Sequence, residues 1–121
     1  MMTGEREIAL TFPKCPAGIG NQLAIELQEL LTDIAAARGL SGSIQVTVSK
    51  EDDTRQDFGA TLAIIFATPA AIAIAKGVHD FIAAKGHAVA IQHKNGSVIA
   101  TGHAAKNIDI AETVHRLNLV R

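Results

Sequence analysis

The sequence predicts an α+β domain: a small, mixed or mostly antiparallel sheet with helices packed on one face, ending in a β-hairpin and a terminal helix. Three observations predict it. Short stretches alternate apolar and polar residues, as in "EIALTF" (7–12) and "SIQVTVS" (43–49). Longer stretches between them repeat apolar residues at three- and four-residue steps. Asn95-Gly96 sits between two alternating flanks, and that pair favours a hairpin turn because the turn needs positive φ.

Each element follows from its residues. In 7–12, Ile8, Leu10 and Phe12 share one side of an extended strand, and the "PKCP" that follows stops it, since proline cannot donate to a sheet ladder. Leu23, Leu27, Leu30, Ile34 and Ala37 then form the apolar stripe of a helix over about 21–38, ended by Gly39. Ile44, Val46 and Val48 face inward from a second strand, and 50–59 is a polar loop. The segment 59–67 reads either as a buried strand or as a short helix. Thr68-Pro69 is a helix start, a hydroxyl cap before proline, and the helix runs to Lys85 with Ile72, Ala75, Val78 or His79, and Ile82 inward. In the hairpin, Lys94 pairs with Ser97, His93 with Val98, Ile91 with Ala100 and Ala88 with His103. Asp109 followed by Glu112 opens the last helix, with Ile110, Val114 and Leu117 inward.

Nothing divides the chain: 121 residues without a linker, repeat or low-complexity tract read as one domain, 1–121. It holds 21 Ala and 14 Ile, and only 19% of its residues are charged. So few charges point to a surface used for self-association or a partner. The net charge is −1, the 11 basic residues are scattered, and Trp and Tyr are absent, which argues against nucleic acid. One cysteine, Cys15, fits a reducing compartment, and an N-terminus carrying Glu and Arg reads as untargeted, so a cytoplasmic location is expected.

The stretch from Gly59 to Ala75 has 17 residues without a charge. A membrane helix needs about 20 mostly apolar residues. Seven of these are Ala, Pro69 interrupts them, and Lys76 and Asp80 follow. Two consecutive core elements are the expected reading, with a membrane-inserting effector as an alternative.

No catalytic set is present. Gly18 and Gly20 in "PAGIGNQ" (16–22) could let a strand-to-helix loop cradle a phosphate. The third glycine and the Lys-Ser/Thr of the known loops are missing, so a nucleotide or small-ligand sensor is only an alternative. Five histidines (His79, His87, His93, His103, His115) fail to converge in the hairpin register, so no metal is expected. "KEDDTRQD" (50–57) lacks the glycine and spacing of a calcium loop, and Arg55 stands among its acids; a solvated loop or a partner contact through Asp52, Asp53 and Arg55 is expected. Cys15 has no base directed to it. The chain reads as a non-enzyme without a cofactor.

The order of elements, "TRQDFGATLAIIFATPAAIAIAKGVHDFIAAKG" followed by "HAVAIQHKNGSVIATG" and a short helix, resembles the effector-associated constant component family of small bacterial proteins. The resemblance covers about 5–117 and rests on Gly59, Lys85-Gly86 and Asn95-Gly96, with Phe81 where the family carries an aromatic. It implies a non-enzymatic accessory subunit of a bacterial conflict or defence system. Its partners would be an effector protease and an ATPase, and no residue-level site carries over from the family. The residues themselves suggest self-assembly, with contacts at 59–85, including Phe81, and on the exposed face of the 88–102 hairpin.

Overall fold

The computed structural model describes residues 5–13, 15, 17–50 and 60–120. Its elements are β1 (Arg6–Thr11), α1 (Ala17–Ala37), β2 (Ile44–Lys50), β3 (Ala60–Phe66), α2 (Ala71–Lys85), β4 (Val89–His93), β5 (Val98–Gly102) and α3 (Ile110–Leu117). The five strands form one sheet in the order β2-β3-β1-β4-β5, with every pair antiparallel. The α+β class and the order of elements are as the sequence predicts, and the segment left open between strand and helix is β3.

Side chains alternate between two faces, and one face makes the core. Ile8 and Leu10, Leu62, Ile64 and Phe66, and Val89 and Ile91 are buried there with Leu27 and Leu31 of α1, Ile74 and Ile82 of α2, and Leu117 of α3. Ile44, Val46 and Val48 lie on the same side, half-buried at the sheet's margin. α1 packs on β2 and β3 and on α2, and α2 packs on α3, so the helices form a second layer. At the α1–α2 crossing a Cβ on Gly77 would run into Leu31 Cδ2, so the glycine permits the close approach.

Several expectations are corrected. α1 begins at Ala17, not near 21, so Gly18 and Gly20 are helical. Its buried stripe is Leu23, Ala24, Leu27, Leu31 and Ala35; Leu30 and Ile34 are half-buried and Ala37 is exposed. Thr68 is no cap: it begins a 3-10 turn, Thr68–Ala70, and its Oγ1 accepts a 2.7 Å hydrogen bond from Arg6. Arg6 also donates through Nε to the Val120 carbonyl at 2.9 Å, tying the start of β1 to the chain's last described residue. In α2, Ile74 rather than Ile72 is fully buried, as are Ala71, Ala73 and Ala75. Ala is small enough to leave this helix apolar nearly all round, which hides its inward direction from a periodicity count.

The hairpin departs from its expected register in a compensating way. Gly96 N–H donates to the His93 carbonyl, and His93 N–H to the Ser97 carbonyl, so the loop has three residues, with Gly96 at φ 95°. His93 therefore faces Ser97, one residue off. A bulge at Ile99 removes the offset, and Ile91 opposes Ala100 as expected. α3 has the predicted start: the Asp109 carboxylate accepts from Glu112 N–H at 2.8 Å.

Candidate interaction surface

The second face of the sheet is covered by no described element. Cross-strand register lays its residues out in rows. Thr47, Ala63, Ala9, Gln92 and Val98 form one row across all five strands. Gln45, Ile65 and Glu7 form the row on one side, and Thr11, Ala90 and Thr101 lie on the other. Gln45, Thr47, Glu7 and Thr101 are exposed, and Val98 is 61% exposed, whereas their inward neighbours Leu62, Ile64 and Ile91 have no exposure at all. Ala90 is 4% exposed and stands outside the core cluster, with Thr11 and Thr101 as its cross-strand neighbours.

The face is flat because its central positions are Ala, and it is nearly uncharged. Glu7 is the one ionisable group in these rows. It lies at a corner where Glu5, Arg6, Ile65 and Lys94 join it around a shallow hollow of about 240 Å³. A solvated face of an antiparallel sheet usually carries polar residues at alternate positions. Here the interior strands carry Ala9, Ala63, Ile65 and Ala90, with Gln92 and Glu7 as their polar residues, while the edge strands carry Gln45, Thr47 and Thr101 beside the exposed Val98. A face so rich in small apolar residues and so poor in charge resembles a protein interface more than a solvated sheet surface. The outward residues of the predicted hairpin contact belong to it. The signal was in the sequence, in the Ala and Thr at every outward position of "IALT" and "TLAI", but composition alone does not say that one face is left bare.

The other candidates separate. Phe81, expected at a contact, is 2% exposed and packs on Phe12, with ring centres 6.1 Å apart, so it serves the core. Most of α2 is buried, which removes 71–82 from the expected contact region except for residues such as Lys76 and Asp80. β4 lies between β1 and β5, so it has no free edge for pairing. Asp52, Asp53 and Arg55 fall outside the described residues, as does the rest of 51–59. Gly18 and Gly20 sit in the first turn of α1, not in a loop, and a Cβ on either would meet nothing within 4 Å. A phosphate-cradling turn, whose glycines exist to let backbone approach a ligand, is not what these two residues build.

Among the described residues, no three His, Cys, Asp or Glu side chains converge as a metal site. His79 lies 3.3 Å from Asp80, His93 pairs with Ile8 on the core side, and His103 Nδ1 accepts from Ala105 N–H. Burial raises the Asp80 carboxyl, but the hydrogen bonds and charges of His79 and Lys76 outweigh it, and its pKa lies below the usual range. Lys85, 2.8 Å from Glu26 across the two long helices, lowers the Glu26 carboxyl in the same way. Both pairs are on the surface of the helix layer and brace it. A second hollow of about 190 Å³, between β5 and α3, is lined by Lys106, Asn107, Asp109 and Arg116 among others; the Asp109 carboxylate caps α3, and Arg116 is bonded to the Ile99 carbonyl and to Glu112. None of the described helices is long and apolar enough to cross a membrane. No known protein family, characterised protein or solved structure matches the chain.

Proposed function

We propose that this protein is a non-catalytic interaction module that pairs with a second copy of itself through the bare face of its sheet. The observation that carries the reading is the row Thr47–Ala63–Ala9–Gln92–Val98, which crosses all five strands without a charge. A face that is flat and nearly neutral is complementary to itself, because a twofold axis brings no like charges together at its centre. Sheets packed face to face lie about 10 Å apart, a distance that small side chains reach without gaps. Strand spacing and rise give a face of about 24 by 20 Å, so two such faces bury roughly 1,000 Å², the lower end for a specific interface. The pairing is therefore reversible at ordinary concentrations.

In this reading the chain works in the cytoplasm as an adaptor, with its surface as its activity. The resemblance of its element order to the effector-associated constant component family supplies the setting: an accessory subunit of a bacterial conflict system that brings an effector protease or an ATPase together with the assembled module.

The test is sedimentation velocity over a concentration series. The parent chain should pass from monomer to dimer, and Ala63→Glu should remain monomeric with an unchanged far-ultraviolet circular dichroism spectrum. A parent that stays monomeric throughout, or an Ala63→Glu variant that dimerises equally well, overturns the reading. Co-purification with the products of the reading frames flanking its gene tests the adaptor role.

A further inference from the structure

The two edges of the sheet are finished differently, and the difference concerns growth of the sheet and not the face described above. At the β5 edge, Ile99 is bulged out of the ladder and its carbonyl accepts a 3.0 Å hydrogen bond from Arg116 of α3. Beyond the strand, His103 and Lys106 bridge to each other, and Ile108 packs against Gly102. A short, bulged, overlaid strand is a poor template for another.

Among the described residues, the β2 edge has no bulge and no bridge beyond the strand. Ile44 to Ser49 is continuous, uncharged and without proline or glycine, and it alternates Ile, Val and Val with Gln, Thr and Ser. Such segments add strands readily when their edge is open. The side on which the backbone is free follows from one bond and the register. Ala67 N–H donates to the Ser43 carbonyl, so Ser43, Gln45 and Thr47 turn their backbone polar groups to β3. Alternation then turns those of Ile44, Val46 and Val48 outward. One group on that outward row is taken: the Val46 carbonyl, midway along the strand, accepts a 2.9 Å hydrogen bond from Gln28 Nε2 of α1.

We infer that Gln28 is an edge guard, whose amide occupies the carbonyl that a β2 strand of a second copy would use to extend the sheet. The second copy is the occupant that the edge fits. Antiparallel pairing of β2 with itself matches free N–H and C=O rows, sets no charge against a like charge, and continues the half-buried row of Ile44, Val46 and Val48 into its twin. With the middle carbonyl taken, a pairing strand must displace Gln28 or leave a backbone group unmatched, and either costs free energy.

The test replaces Gln28 in the full chain and follows particle size by light scattering, and amide exchange of Ile44, Val46 and Val48 by NMR, in the parent and Ala63→Glu backgrounds so that association through the face is separated. Gln28→Met keeps length and helix propensity but has no donor. It should form particles larger than its background protein, growing with concentration, with exchange at Val46 and Val48 slowed about tenfold or more. Gln28→Arg retains a donor and should keep the background size. Adding Val48→Pro to Gln28→Met removes an outward N–H where an edge strand tolerates proline, and should restore it. If Gln28→Met lowers the helical signal, Gln28→Ala is read by the same outcomes. A donor-less variant of unchanged size and exchange overturns the inference, as does assembly that survives Val48→Pro. A role in tying α1 to β2 alone would lower the melting temperature without either change.

Discussion

Leu62 and Ala63 are neighbours on β3, and the chain turns them to opposite sides of one sheet. On the covered side Leu62, Ile64, Phe66, Ile8, Leu10 and Ile91 are long side chains with almost no contact with water. On the bare side the same strands carry Ala63, Ala9, Ala90, Thr47 and Thr11. The covered side needs volume, because each buried methylene contributes about 0.8 kcal/mol and interiors must be filled. The bare side would meet water well with Lys, Glu or Gln, yet its middle holds alanine, a poor strand former that also adds no charge. Stability explains the first choice and leaves the second unexplained. A requirement for flatness explains it, and that is why the bare face is read as the working one.

The comparison breaks most readily at this pair of neighbours. Leu62→Ala should cost about 3–4 kcal/mol, transfer plus cavity, since Leu62 is fully enclosed between strands and helices. In a chain of this size that lowers the melting temperature by about 10–20 °C. Ala63→Ser on the bare side should stay within about 0.5 kcal/mol of the parent. Equal losses at the two positions in thermal denaturation would mean that the bare face is itself packed against something, and the contrast would collapse.

A finer test asks how tightly the helix layer is fitted. Gly77→Ala would gain about 1 kcal/mol of helix propensity if Gly77 were on an open surface. Its new Cβ meets Leu31, which is fully buried and has no free space to move into. Overpacking of this kind costs about 1–3 kcal/mol, so the net effect should be destabilising by up to about 2 kcal/mol. Denaturant titration reads it directly. A stabilised variant would show that α1 and α2 are loosely joined, and that the covered side is less demanding than its residues suggest.

What the sequence made legible divides along the same line. Strands with one buried side announced themselves by alternation, and Ile8, Leu10, Phe12, Ile44, Val46 and Val48 face the predicted way. The phase of the helices was harder. "ELLTD" offers Leu30 and Leu31 in succession, and only packing against Gly77 decides for Leu31. α2 is so rich in alanine that any face could be the inner one. The early start of α1 was hidden by two glycines, whose low propensity is overridden by the tertiary packing of the helix they begin. The strand order, with the first strand at the centre, depends on long-range pairing that no local pattern encodes. For the candidate site, the outward residues were all in view. That no described helix covers them is a property of the three-dimensional arrangement, so the expectation reached only the hairpin's share of this face and was placed also on Phe81, an aromatic that the core uses.

The smallest effect belongs to the outer surface of the helix layer, where Lys85 reaches Glu26 at 2.8 Å. Lys85 is exposed and Glu26 is half-buried at the surface, and surface pairs of this kind contribute little, so this contact is a brace and not a foundation. Its signature is in the pH dependence. The hydrogen bond from Lys85 holds the Glu26 carboxyl below its usual range in the folded chain, while in the unfolded chain it titrates normally. A group whose folded pKa is depressed contributes stability that is complete above the unfolded pKa and is lost as the pH falls through the folded one. Glu26→Gln should therefore lower the melting temperature slightly at neutral pH, and the difference from the parent should vanish once the pH has dropped below the ordinary carboxylate range. High salt at neutral pH should narrow the gap as well, because the pair is screened. A gap that persists unchanged into acid would mean that Glu26 acts through packing against α2, and the outer surface of the helix layer would then have to be counted with its interior.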